Sequence, residues 1–78
     1  MTTDGTPSKA PRRFEFVEGK SSKFWEIVVA GTSVDVRYGR IGTDGQTSHK
    51  EFKDAAAAAQ YAVKIVAEKT EKGYVEIV

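Results

Sequence analysis

An α+β fold is predicted for this chain of 78 residues: an antiparallel β-sheet of four to five strands packed against one long α-helix. Three observations predict it. Apolar residues alternate with polar ones through the first half of the chain, as half-buried strands require. Glycine-containing turn signals separate those runs at hairpin spacing. From Asp54 the apolar period changes from two to between three and four, the period of a helix lying on a sheet.

Residues 1–11 are rich in Thr, Ser, Gly and Pro, lack apolar periodicity, and are expected to form a mobile tail outside a domain spanning 12–78. The first strand is placed at 12–18, where Phe14 and Phe16 alternate with Arg13 and Glu15. Gly19-Lys20-Ser21-Ser22 then turns the chain. Arg12, Arg13, Lys20 and Lys23 are either phosphate contacts or simply solvated charges at a strand start and a loop tip.

The next two strands fix each other's register. With Gly31-Thr32 as a two-residue type II′ turn, Ala30 faces Ser33 and Val29 faces Val34. Counting outward, Ile27 meets Val36 and Trp25 meets Tyr38 on one face, while Glu26 meets Arg37 on the other as an opposite-charge pair. Trp25 is then a core anchor. A second hairpin is expected at Asp44-Gly45, a type I′ signal that pairs Thr43 with Gln46, His49 with Arg40 and Glu51 with Tyr38. Ile41 falls on the wrong face for this scheme. A β-bulge between Tyr38 and Thr43 is therefore predicted, to re-aim its side chain.

Asp54 is a good N-cap, Ala55 to Ala59 have the highest helix propensity, and Gly73 after Lys72 supplies a stop. Ala58, Tyr61, Ala62, Ile65, Val66 and Lys69 form the stripe that faces the sheet. The alanine run either lets the helix lie close or is a low-complexity surface, and the first is favoured because the stripe continues through Tyr61. Residues 73–78 are extended and apolar, either a last short strand or a tail laid on the core.

Composition limits the function. A domain of this size holds about 3 to 5 kcal/mol of net stability, so an enzyme with a deep pocket is not expected. The chain has no cysteine and a single histidine, His49, which excludes thiolate metal sites and a histidine-built zinc site. No nucleophile with its base and orienting acid can be assembled around that histidine. Neither cofactor nor metal is expected. No run approaches the roughly 20 apolar residues of a membrane span, and no apolar leader precedes the domain, so a cytoplasmic protein is expected. The net charge is +1 and the isoelectric point about 8.0. Domains that hold nucleic acid by charge alone exceed about 9, so phosphate contacts here must be few and well placed.

The candidate site is Tyr38-Gly39-Arg40-Ile41-Gly42-Thr43. Tyr38 offers a ring that can stack on a sugar or base, and Arg40 a fork that can grip phosphate. Gly39 either admits close approach of another group or merely bends the strand. Arg37, Lys50 and His49 join them as candidate nucleic-acid contacts. The plainer alternative is that Tyr38 only closes the core.

Phe24-Trp25-Glu26-Ile27, then Arg37-Tyr38-Gly39-Arg40-Ile41-Gly42-Thr43, then Phe52, a long helix and Lys72-Gly73-Tyr74 together resemble the WGR domain. That domain occurs in several poly(ADP-ribose) polymerases and in small bacterial proteins. The resemblance covers about residues 12 to 78, with the tryptophan that names the family replaced by Tyr38. It implies an antiparallel sheet crossed by one helix and a DNA-binding role. In the polymerases the motif tryptophan packs on the sugar at a strand-break end, and the arginine contacts the break region and neighbouring domains. By position, Tyr38 would stack, Arg40 would hold phosphate or a partner, and Gly39 would allow the approach.

Nothing in these residues corresponds to a polymerase catalytic domain, so no ADP-ribosyl transfer is expected. The expectation is a monomeric, non-enzymatic module that contacts DNA, or RNA, at strand ends or along the sugar-phosphate backbone. The alternative is a protein-protein interaction module using Arg40 and an exposed sheet edge.

Overall fold

The computed structural model describes residues 11–77. The tail expected at the N-terminus falls, but for Pro11, outside the described residues, as does Val78. The elements follow the order β1 (Arg12–Glu18), β2 (Ser21–Ala30), β3 (Ser33–Arg40), β4 (Gln46–Glu51), α1 (Ala55–Glu71) and β5 (Val75–Ile77). They form one antiparallel sheet in the order β4-β3-β2-β1-β5, with α1 laid across one face. This is the predicted α+β arrangement, and the 73–78 segment contributes a fifth strand, pairing Phe14 with Glu76.

The β2–β3 register is the predicted one. Trp25 lies opposite Tyr38, Glu26 opposite Arg37, Ile27 opposite Val36 and Ala30 opposite Ser33. Gly31 takes the positive φ of 63° that the first central position of a II′ turn needs. Because side chains alternate across a strand, Phe14, Trp25, Ile27, Val34 and Val36 all point to the helix side and are buried there with Ala58. Tyr61, Ala62, Ile65 and Val66 of the predicted stripe close over them. In the alanine run, Ala58 is fully buried and Ala57 half-buried, whereas Ala55, Ala56 and Ala59 are exposed. Close approach of the helix thus rests on one alanine.

The second hairpin is not the predicted one. Gln46 lies opposite Tyr38 rather than Thr43, His49 opposite Asp35 rather than Arg40, and Glu51 opposite Ser33 rather than Tyr38. The cause is Phe52. In the two-residue hairpin its side chain would project from the face opposite the helix. The observed register differs by five residues, an odd number, and an odd slip sends every side chain of the strand to the other face. Phe52 thereby reaches α1, its ring 5.1 Å from that of Tyr61, while its N–H donates to the Thr32 carbonyl at 2.8 Å.

The predicted bulge is also replaced. The β2–β3 ladder is regular through Lys23 and Arg40, and the chain then leaves β3 in a loop over residues 41–45. Ile41, the first residue of that loop, still donates its N–H to the Ser22 carbonyl at 3.0 Å, and no extra residue is inserted in the ladder.

Both ends of α1 are fixed by their own residues. The Asp54 carboxylate accepts from the Ala57 N–H at 2.8 Å. At the other end the Tyr74 N–H donates to the Lys69 carbonyl and the Gly73 N–H to the Thr70 carbonyl, each at 3.1 Å, which is a Schellman motif. That motif folds Tyr74 back beside Lys69. Among the described residues, no helix is long and apolar enough to cross a membrane.

Candidate nucleic-acid interface

Two faces of the sheet carry two different kinds of charge cluster, and strand parity decides which residue joins which. On the face opposite the helix, Phe24 is 1% exposed, covered by two guanidinium groups. Arg13 and Arg37 lie 4.7 and 5.0 Å from its ring centre. Glu26 stands between them, accepting from Arg13 at 2.7 Å and from Arg37 at 3.1 and 3.2 Å. Arg37 also donates to the Asp44 carbonyl at 2.8 Å, tying the 41–45 loop onto this face.

His49 shares that face, one ring nitrogen against Asp35 and the other 2.7 Å from Glu51. Hydrogen bonds to both carboxylates raise its pKa above the ordinary value of 6.5. Both nitrogens must donate, so the bridge is made by the imidazolium. A raised folded-state pKa contributes stability that is complete below the unfolded value and is lost as pH climbs through the folded one. Melting the protein at about pH 6 and about pH 8 should therefore show greater stability at the lower pH, and His49→Gln should diminish that difference. An unchanged difference in the variant would mean that His49 is not bridged in solution.

On the helix side, the end of β3 meets the start of β2 and the end of α1. Tyr38 projects there beside Trp25, 41% exposed, and Arg40 projects opposite Lys23. Lys20, Lys23, Arg40 and Lys69 surround a hollow of about 340 Å³ whose aromatic lining is Phe24, Trp25, Tyr38 and Tyr74. Two further hollows adjoin it. One of about 220 Å³ runs under Tyr38 towards Ser48 and Tyr61, and one of about 360 Å³ runs past Tyr74 to Phe16 and Lys72. The three share Lys69 and together make a groove along the junction of sheet and helix. Among the described residues, no carboxylate lines any of them.

Lys69 sits with its ammonium 5.7 Å from the centre of the Trp25 ring and 5.4 Å from that of Tyr74. Burial, helped by the charges of Lys72 and Lys23 and opposed by that of Glu68, lowers its pKa from the ordinary 10.5. Among the described residues the Arg40 side chain makes neither a hydrogen bond nor an ion pair, and its carbonyl is held by the Thr43 N–H and hydroxyl at 3.1 and 2.8 Å. The loop thus fastens the backbone of Arg40 and leaves its guanidinium exposed.

Gly39 is where the strand and its own loop come together. A Cβ there would come 2.8 Å from the Cα of Gly45, so the close approach it permits is that of its own loop. Of the six residues singled out from the sequence, Tyr38, Gly39 and Arg40 belong to the groove. Arg37 and His49 point from the opposite face. Lys50 shares the helix-side face but lies at its far end, with its ammonium 5.1 Å from the Tyr61 ring centre. The groove's other cations, Lys69 and Lys72, were not among the sequence candidates, and Lys20 and Lys23 were weighed only as general phosphate contacts.

Protein YehF of Escherichia coli is 45% identical to this chain over 65 residues, which are 83% of the chain and 24% of YehF. The uncharacterized protein YfeS of the same organism is 40% identical over 65 residues, 83% of the chain and 27% of YfeS. A crystal structure of a Bacteroides fragilis protein matches with a TM-score of 0.86 and 54% identity, over 88% of this chain and 20% of that one. The chain therefore spans about a quarter of the length of the curated relatives it matches. Residues 10–78 match the family model of the WGR domain, and the chain belongs to that family.

Proposed function

We propose that this domain is a non-enzymatic nucleic-acid-binding module whose groove at the sheet–helix junction takes a DNA end or a stretch of sugar-phosphate backbone. The observation that carries the reading is the segregation of charge. The whole chain has 12 basic and 11 acidic residues, yet among the described residues the groove presents Lys20, Lys23, Arg40, Lys69 and Lys72 and no carboxylate. Phosphate contacts can therefore be few and still effective, and the rings of Tyr38 and Tyr74 offer apolar faces for a sugar or base. Arg40 and Tyr38 are the leading contacts. Arg37 and His49, committed to carboxylates on the other face, are assigned to the fold.

Titrating the protein with short duplexes at several salt concentrations tests this. Arg40→Ala should lower affinity and flatten the salt dependence by roughly one unit, because it removes a charge-assisted contact. Tyr38→Ala should cost about 1 to 3 kcal/mol with the salt slope nearly unchanged, as loss of stacking would. Tyr38→Trp should bind at least as well as the parent. Melting curves and the fluorescence of Trp25 check that each variant is folded. Folded alanine variants that bind as the parent does would remove the nucleic-acid reading. A protein partner would then replace it, favoured by β4, an edge strand whose six residues are all exposed, and its binding would survive salt.

A further inference from the structure

Lys69 lines all three hollows of the groove, and among the described residues it forms no ion pair with a carboxylate. Its ammonium lies between the rings of Trp25 and Tyr74. Lys23 and Lys72 border one of those hollows with it, and Arg40 another. An anion drawn by these cations is brought beside an amine.

We propose that Lys69 is a site of covalent acylation by small acyl phosphates, the neighbouring cations holding the phosphate while the Lys69 amine takes the acyl group. The inference uses the positive potential of the groove and does not require nucleic acid to be its natural occupant. Nζ in its unprotonated form attacks the carbonyl carbon, and a C–N bond forms. The bond from that carbon to the phosphate oxygen breaks, inorganic phosphate leaves with the electron pair, and the proton on nitrogen passes to solvent. No oxidant or reductant is needed. Burial and the nearby lysine charges outweigh the adjacent Glu68 carboxylate and hold the Lys69 pKa below that of an ordinary lysine, which enlarges the reactive fraction near neutral pH. The same cations stabilise the charge that develops on the leaving phosphate. The product, a neutral amide, removes one positive charge from the groove and gives up the ammonium's attraction to the two rings.

Lys64 supplies the comparison within the same molecule. It is exposed on the outer side of α1, beside Ala59, Gln60 and Val63, and among the described residues no second cation lines its hollow. The 78-residue chain, incubated with acetyl phosphate and sampled over time by site-resolved mass spectrometry, should acquire acetyl groups on Lys69 several-fold faster than on Lys64. Added inorganic phosphate should slow Lys69 and leave Lys64 unaffected. Arg40→Gln, an exposed substitution checked by the fluorescence of Trp25, should slow Lys69 in the same way. Acetylation of Lys69 no faster than of Lys64, or an advantage indifferent to inorganic phosphate, overturns the proposal. Duplex binding is read on the unmodified protein separately, so the fate of the nucleic-acid reading does not decide this result.

Discussion

Gly45→Ala is expected to destabilise the domain by about 2 to 5 kcal/mol, the sum of left-handed backbone strain and overpacking. The φ at this position is +75°, and an added Cβ would collide with the Tyr38 carbonyl oxygen and stand 2.7 Å from Cζ of Phe24. Neither neighbour can yield. The carbonyl belongs to β3 where it pairs with both β2 and β4, and Phe24 is buried under Arg13 and Arg37. A domain of this size has about 3 to 5 kcal/mol to lose, so most of the variant should be unfolded or melt far below the parent. Gly19→Ala is the matched control, since its φ is +58° with nothing within 4 Å of the new methyl. It should cost about 1 kcal/mol from strain alone. Urea and thermal melts measure both. Equal losses in the two variants would show that the 41–45 loop is not seated on Phe24 in solution.

The contrast between the two hairpins explains what the sequence reveals of this fold. At Gly31-Thr32 the turn chemistry, the apolar pairs and the Glu26–Arg37 pair all demand one register, and each is local. At Asp44-Gly45 the turn signal is as strong, but it competes with Phe52, whose place against Tyr61 is decided by a helix that begins later in the chain. A tertiary demand overrides the local one, and the glycine of the supposed turn becomes instead the residue that lies on Phe24.

The site was half legible for a related reason. Tyr38 and Arg40 stand out because they flank Gly39 in a motif, whereas Lys69 and Lys72 are 46 and 49 residues removed from Lys23 and meet it only through the topology. One signal was available. The β2–β3 register, continued two residues past Trp25 and Tyr38, sets Lys23 opposite Arg40 on the helix side. Lys69 ends the apolar stripe of α1, so it too had to lie over that end of the sheet. The same parity argument sends Arg37 to the other face, beside Glu26.

Lys23→Glu should produce the largest loss of nucleic-acid binding of any single change in the groove, about 10- to 100-fold at low salt, with the salt dependence flattened by roughly one to two units. The substitution removes one cation and places a carboxylate directly opposite Arg40, where it can pair with the guanidinium and withdraw it from phosphate. Lys23 is exposed, so the fold should persist and the melting temperature should change little. Net charge alone would also fall from +1 to −1, and Lys64→Glu makes the same change on the outer side of α1. Because exposed charges more than a Debye length apart are largely screened, Lys64→Glu should lose far less affinity, and its disadvantage should vanish as salt is raised. If the two variants weaken binding alike at every salt concentration, the effect belongs to the charge of the whole molecule, and the groove is not where nucleic acid is held.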